Sequence, residues 1–412
     1  MTATITTLPT AESSITVGNL LPTVDNYAQA ASRAKHITDN YKTVVFTVAD
    51  NTAAISHTSH DYSASTIHTA TNTTSGVFAV DARKLNTSLK GLVGTRNKSV
   101  NCKEIHVSCT NDTATFEYDG ISVHIPVVDD VIHPDSLDGC TKLATIPADV
   151  LRDVWAKVHR NCGVDDTLPM LTGLNFTFSP NLVDFSATDR FRLALVKYHT
   201  PTMAEEETKF LVPSAHFKML DKHLKDFSGD IEIFTLNNRL VFMFDNQIIQ
   251  SLPLDADFPR VQGLIPKQAQ IMINCDRDNM LRTLTRLEKI SGKNSNLRFT
   301  LHPEHLDINV DGNKHLNKDA PAASAPMPAT VTGIEHENQK VGYNITYMID
   351  ALKGFTATRV AFIMEATSRP VVIVDADGDA GEELNDLTRG GESFTVPAYD
   401  HMQLLMPVRL PG

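Results

Sequence analysis

Arg282, Arg286, Lys289 and Lys293 recur at steps of four, three and four residues. On a helix that spacing lines them along one face. A row of fixed cations with no interleaved aromatic residues suits one chemistry: contact with phosphates without reading bases. Lys218, Lys222 and Lys225 form a second row beside apolar Phe217, Leu220, Leu224 and Phe227, and Arg83 and Lys90, seven apart, form a sparser third. One such stripe is ordinarily a solvated helix face. Stripes that recur along a chain can line one continuous surface, positive where the rest of the molecule is acidic.

Other reactive patterns fail on inspection. Gly91 to Ser99 (GLVGTRNKS) lacks the gap and the adjacent Gly-Lys of a phosphate loop, and it follows a helix pattern instead of opening one. Asp375, Asp377 and Asp379 alternate as in a calcium loop, but Ala380 stands where the sharp-turn glycine belongs and Asp386 where the bidentate glutamate belongs. His302 and His305 do not make H-E-x-x-H, and no G-x-S-x-G occurs. The pairs Asp129-Asp130 and Asp165-Asp166 fall in expected loops with no group nearby to tune them. The expectation is a protein that is not an enzyme, with no cofactor and no metal.

The elements that would carry the basic rows repeat. Leu89-Lys90-Gly91-Leu92 returns as Leu224-Lys225-Asp226-Phe227 and as Leu352-Lys353-Gly354-Phe355. A second marker, two apolar residues early in a helix, recurs at Leu20-Leu21, Val150-Leu151 and Met280-Leu281. Both markers keep a period near 130 residues, which indicates three tandem copies of one unit. Each copy reads as α+β, with two helices and mostly antiparallel strands. The expected helices are 20–35, 81–93, 147–161, 214–226, 276–291 and 344–354. In the fifth, Leu281, Leu284, Leu287 and Ile290 are expected to face the core. A flexible leader is expected over residues 1–14 and a mobile Pro/Ala-rich insertion over 312–339, and an acidic segment spans 375–392.

The net charge of −12 alone argues against a polyanionic partner. Its distribution argues the other way: the six helices hold sixteen Lys and Arg against ten acidic residues, so the excess of acid lies elsewhere. Five cysteines without a C-x-x-C pair fit reduced thiols, and no signal peptide or 18-residue apolar run is visible, so a cytoplasmic protein with no membrane contact is expected.

Residues 168–194 (LPMLTGLNFTFSPNLVDFSATDRFRLA), Phe258-Pro259 through Leu264-Ile265-Pro266, 341–352 (VGYNITYMIDAL) and the tail 404–410 (LLMPVRL) together resemble the bacterial DNA polymerase III beta subunit, the sliding clamp. The resemblance is weak in the first third and strong in the rest. It implies three domains of the DNA-clamp fold, 1–143, 144–268 and 269–412, closed head to tail as a homodimeric, pseudo-sixfold ring around double-stranded DNA. It also implies a pocket between the second and third domains that takes short peptides from polymerase, clamp loader and other replication or repair proteins.

Carried over by motif, that pocket comprises Leu171, Gly173, Thr188, Arg190, Phe191, Arg192, Leu193, Pro259, Leu264, Asn344, Tyr347, Ser368, Pro370, Leu404, Met406, Pro407, Val408, Arg409 and Leu410. Without the resemblance, Leu171 and Leu193 would read as plain core and the tail as a final strand. Arg83, Lys90 and Lys222 match basic helix positions of the family, and Lys218, Lys225, Arg282 and Arg286 complete the expected DNA-binding set. Ser214-Ala215 stand where a relative carries a basic pair, and Arg190-Phe191 replace a small residue and His or Tyr. By position, Val123, Ile125 and Ile290 would meet at the subunit interface. The alternative is a clamp-like scaffold or decoy that binds partner peptides without topological tethering to DNA.

Overall fold

The computed structural model describes residues 10–32, 39–95, 97–129, 132–311, 321–336, 338–378, 381, 384 and 393–410. One arrangement of elements occurs three times. The first copy runs β1 (Thr10–Thr16), α1 (Val17–Ala31), β2 (Thr43–Ala49), β3 (Thr52–Thr58), β4 (Tyr62–Thr69), β5 (Thr71–Thr74), β6 (Gly76–Asp81), α2 (Ala82–Val93), α3 (Lys98–Asn101), β7 (Glu104–Thr110), β8 (Thr113–Tyr118) and β9 (Ile121–Pro126). The second runs β10 (Thr141–Pro147), α4 (Ala148–Val158), β11 (Gly173–Ser179), β12 (Leu182–Thr188), β13 (Arg192–His199), β14 (Thr208–Pro213), α5 (Ser214–His223), β15 (Asp230–Leu236), β16 (Arg239–Phe244) and β17 (Gln247–Ser251).

After a two-residue strand β18 (Gln268–Ala269), the third runs β19 (Ile271–Asp276), α6 (Arg277–Ser291), β20 (Asn296–Leu301), β21 (His305–Asp311), β22 (Ala323–Pro328), β23 (Thr330–Thr332), β24 (Lys340–Asn344), α7 (Ile345–Leu352), β25 (Arg359–Met364), β26 (Val371–Asp375), β27 (Phe394–Thr395) and β28 (His401–Leu405). The Leu-Lys motif marks the end of each copy's second helix, and Leu89, Leu224 and Leu352 are all buried there.

The pairing is the same each time. The strand before one helix pairs with the first strand after the other helix: β1 with β7 and β2 with β6, β10 with β15 and β11 with β14, β19 with β25 and β20 with β24. Every pair is antiparallel, and strands such as β7, β8 and β21 alternate buried with more exposed residues, one face on the core and one outward. Cap residues set the helix starts. Asp81, Asp276 and Asn344 accept hydrogen bonds from the N–H groups of the first turns of α2, α6 and α7.

The chain divides into two compact units. One contains residues 1–152, 201–203 and 215–253, and holds an eight-stranded sheet of order β10-β15-β16-β17-β4-β3-β2-β6 and a five-stranded sheet of order β5-β1-β7-β8-β9. Its core includes Phe46 stacked on Phe78 at 4.9 Å, with Phe116 edge-on. The other contains 153–200, 204–214 and 254–412, and holds a nine-stranded sheet of order β14-β11-β12-β13-β28-β26-β25-β19-β23, a four-stranded sheet β22-β21-β20-β24 and the β18-β27 pair. Phe299, Tyr343 and Phe362 lie at its centre. No helix among the described residues is long and apolar enough to cross a membrane.

Several expectations change. Residues 10–14 are not leader but part of β1, because pairing with β7 buries Ala11 and Ser13; residues 1–9 lie outside the described residues. The Pro/Ala-rich insertion is strand on both sides of Ala329: β22 pairs with β21 and buries Met327, and β23 pairs with β19 and buries Val331. Residues 312–320 and 337, and most of 379–392, lie outside the described residues. The buried face of α6 is Met280, Leu284, Leu287 and Ser291, with Leu281 at its margin and Ile290 about half exposed. A 3.6-residue turn shifts the stripe away from a strict three-residue step. β4, rich in Ser and Thr, and β14, a short TKFLVP segment, are strands that the sequence reading did not include.

Candidate functional site

In the second unit, the chain between β12 and β13 turns sharply. Thr188 Oγ1 donates to the Arg192 carbonyl at 2.7 Å, and the Asp189 carboxylate accepts from the N–H groups of Phe191 and Arg192 at 3.0 and 3.1 Å. These bonds hold Arg190 at φ +80°, a left-handed conformation that side chains other than glycine rarely adopt. The turn therefore runs through Phe191, and β13 starts only at Arg192. Its consequence is exposure: Arg190 points outward and Phe191 is 53 % exposed.

Arg192 turns inward. Its Nε donates to Asp189 at 2.8 Å and its NH1 to Asp350 at 2.9 Å, while its guanidinium lies 4.3 Å from the centre of the Tyr347 ring. Arg160 approaches the same Asp350 at 3.9 Å. Phe191 stacks on the other aromatic partner, Tyr347, at 6.3 Å. Tyr347 is positioned by Asn344, whose side chain caps α7. A charged pair of this kind fixes geometry more than it stabilises, since partial burial costs each ion hydration.

The tail completes the site. β28 pairs with β13 from Arg192↔Leu405 to Val196↔His401, and Met406 N–H continues the ladder to the Phe191 carbonyl at 2.8 Å. Val408 N–H then reaches the Gly342 carbonyl at 2.9 Å. A Cβ on Gly342 would sit 2.6 Å from Leu410 Cδ2 and 2.9 Å from the Val408 carbonyl, so only glycine lets the tail lie this close. Gly173 has the same reason: a Cβ there would meet Leu211 at 2.8 Å.

The structure sorts the expected pocket residues into three kinds. Leu171, Leu193 and Leu404 are core, exposed by 5 % or less, and Gly173 and Thr188 are buried as well. Leu193, Leu404 and Met406 share one apolar cluster with Val261 and Ile265, which brings the Pro259–Leu264 segment beside them. Arg190, Phe191, Leu264, Ser368 and Arg409 are exposed, while Tyr347, Pro370, Pro407, Val408 and Leu410 are half-buried. Val164, 96 % exposed, is a further exposed apolar side chain of this unit.

Sequence reasoning missed Asp189, Asp350, Arg160 and Gly342 as parts of the site. Only the glycine left a signal, as an isolated glycine in a strand pattern. Nothing here is poised for covalent chemistry. Burial pushes the Cys162 thiol up to about 12, far from a reactive thiolate.

The cationic residues occupy both units. In the first, Lys90, Lys222 and Lys225 line one cleft with Asp25, Gln29 and Asp226. Lys90 donates to Asp25 and Lys222 to Gln29. Burial works against the Asp25 charge, but hydrogen bonds from Lys90 and Asn86 hold its carboxyl below the usual range. Lys218 is exposed on α5. Arg83 belongs to a separate recess with Lys84, His124 and Ile125. In the second unit Arg282, Arg286 and Lys289 are all exposed on α6.

Of the expected interface residues, Val123 is half-buried, Ile290 is 51 % exposed, and Ile125 is buried at 3 % under its own fold. Ile125 cannot offer a side chain to another subunit. Ile121, two residues up the same face of β9 from Val123, is 58 % exposed.

Residues 145–260 match the family described as DNA polymerase III beta subunit, central domain, and residues 262–385 the C-terminal domain of the same subunit. The chain is 28 % identical over 216 residues to the beta sliding clamp of Synechococcus elongatus, covering 51 % of this chain and 55 % of that protein. It is 22 % identical over 299 residues to the beta sliding clamp of Staphylococcus epidermidis, covering 72 % of this chain and 75 % of that one. The fold superposes on the DNA polymerase sliding clamp of Bacillus subtilis with a TM-score of 0.81 at 18 % identity, over 97 % of this chain and all of the other. With two adjoining family matches over more than half its length and a topology repeated three times, the chain belongs to the DNA polymerase III beta subunit family, the non-catalytic sliding clamps.

Proposed function

We propose that two copies of this chain close head to tail around duplex DNA, and that the ring tethers a polymerase and other DNA enzymes. The three copies would serve as domains, about 1–143, 144–268 and 269–412. Strand pairing carries the reading. Twice within the chain, the third strand after one copy's first helix pairs with the last strand of the next copy: β4 with β17, and β13 with β28. Applied once more, that rule joins β22 to β9, and both are sheet edges among the described residues. Five strands and four would then make a nine-stranded sheet across two subunits. Ile121, Val123 and Ile290 supply apolar surface for that junction.

Arg83, Lys90, Lys218, Lys222, Lys225, Arg282 and Arg286 would contact phosphates, so binding should be independent of sequence and weakened by salt. The site around Tyr347 and the tail would take short, largely apolar peptide segments, with Phe191 and Leu264 on its rim and backbone groups anchoring the extended chain. The working place is DNA in the cytoplasm.

A second reading has its own support. Lys90 and Lys222 are engaged by Asp25 and Gln29, which weakens the cationic face and favours a scaffold or decoy that keeps the peptide site without encircling DNA. Topology decides between them. Protein loaded on nicked circular DNA should remain bound and be released when the circle is cut; equal retention on circular and linear DNA overturns encirclement.

A further inference from the structure

We propose that His302, His305 and Asp307 bind one divalent transition-metal ion of the zinc class, at the turn joining β20 to β21. The turn is closed by the His302 N–H donating to the His305 carbonyl at 3.1 Å. That bond brings the two imidazoles face to face, with centroids 4.3 Å apart and planes 7° from parallel. His305 and Asp307 are two residues apart on one strand, so their side chains leave the same face.

The result is a converging donor set. His302 Nε2 lies 3.3 Å from Asp307 Oδ2 and His305 Nε2 lies 3.9 Å from Asp307 Oδ1. One ligand atom from each residue falls within 4.8 Å of the other two, the single such trio among the described residues. Bonds of about 2.0–2.1 Å in tetrahedral geometry place ligand atoms roughly 3.4 Å apart, so a small closing movement accommodates the ion.

Donor chemistry selects the class. Two imidazoles and one carboxylate suit zinc, nickel, cobalt or copper, whereas calcium and magnesium require mostly oxygen donors. The side chains are exposed by 20, 47 and 49 %, which leaves an entry path and a fourth position for water or an outside ligand. The ion would pin the β20–β21 turn, and β21 carries the edge strand β22 through pairs such as His305↔Pro328. None of the three residues belongs to the tail site or the cationic rows, so the inference stands apart from the tethering function.

The full chain, stripped of metal with a chelator, is titrated with zinc by calorimetry and with cobalt(II) by visible absorption. One ion per chain is expected, with the strong absorption bands of four-coordinate cobalt. His305→Ala and Asp307→Asn should each weaken zinc binding at least ten-fold, with unchanged circular dichroism. The conservative Asp307→Asn variant guards against misfolding, and histidine nitrogen NMR shifts of the parent chain on zinc addition give an independent reading. Absence of binding, or binding of equal strength in both variants, overturns the site; shifts at other histidines only would do the same.

Discussion

Two kinds of strand border occur in this protein. The borders β17–β4 and β13–β28 are each five residue pairs long and contain no proline on either strand. The edges β9 and β22 carry Pro126, Pro326 and Pro328. Register shows where those prolines point. Val127 N–H donates inward to the Asp112 carbonyl and Ala329 N–H to the Glu304 carbonyl, so in alternation the even-numbered residues of both edges face outward. All three prolines are even-numbered, and each removes a donor that a docking strand would need.

One topology thereby serves two ends. Borders inside the chain are permanent and keep every ladder bond. Edges that must not aggregate, and that in the proposed ring must open and close, lose donors and depend more on side chains. A border of this second kind is weaker by construction.

Three measurements test that contrast. Leu195 shares the inward-bonding alternation of β13 with Lys197, whose N–H reaches the Asp400 carbonyl. Leu195→Pro should therefore cost about 3 kcal/mol or more in urea unfolding, while Ser324→Pro on the outer side of β22 costs within about 0.5 kcal/mol. Equal losses would erase the distinction.

Acid should attack the inner borders next. His223, bonded to Gln247 of β17, is lowered to about 4 by burial, aided by Lys222 and opposed by that hydrogen bond; His401 on β28 is lowered to about 3 by burial and by Lys157. Both are neutral in the fold, so the unfolded chain takes up more protons. Stability is then full above about pH 6.5 and falls by about 2 kcal/mol per histidine between pH 6.5 and 5. Thermal unfolding across that range should show the slope, and His223→Gln should flatten it; a flat parent profile would deny these histidines the role.

The smallest effect has the opposite sign. Pro326→Val restores one outward donor and should tighten self-association by about 1 kcal/mol, roughly five-fold, in sedimentation equilibrium. No change would mean that β22 does not pair with another subunit.

The repeat was legible because the Leu-Lys motif marks a position that must be buried at a helix end and therefore leaves a spaced trace. Helix ends were legible to within a few residues because caps such as Asp81 and Asp276 act locally. The strand status of Ala323–Pro328 was not, since prolines are tolerated only by virtue of the edge position, which no local window contains. Likewise Asp189 and Asp350 look like surface acids until Arg192 is placed between them.

Residue order alone determined the threefold repetition, the α+β class and the basic helix faces, all of which follow from periodicity and nearest-neighbour chemistry. Long-range packing sets which strands are edges, makes Ile125 core and Ile121 surface, and engages Lys90 and Lys222. The two lysines meet partners 65 and 193 residues away in the chain, and burial or pairing at long range is set by packing, not by the residue's own neighbours.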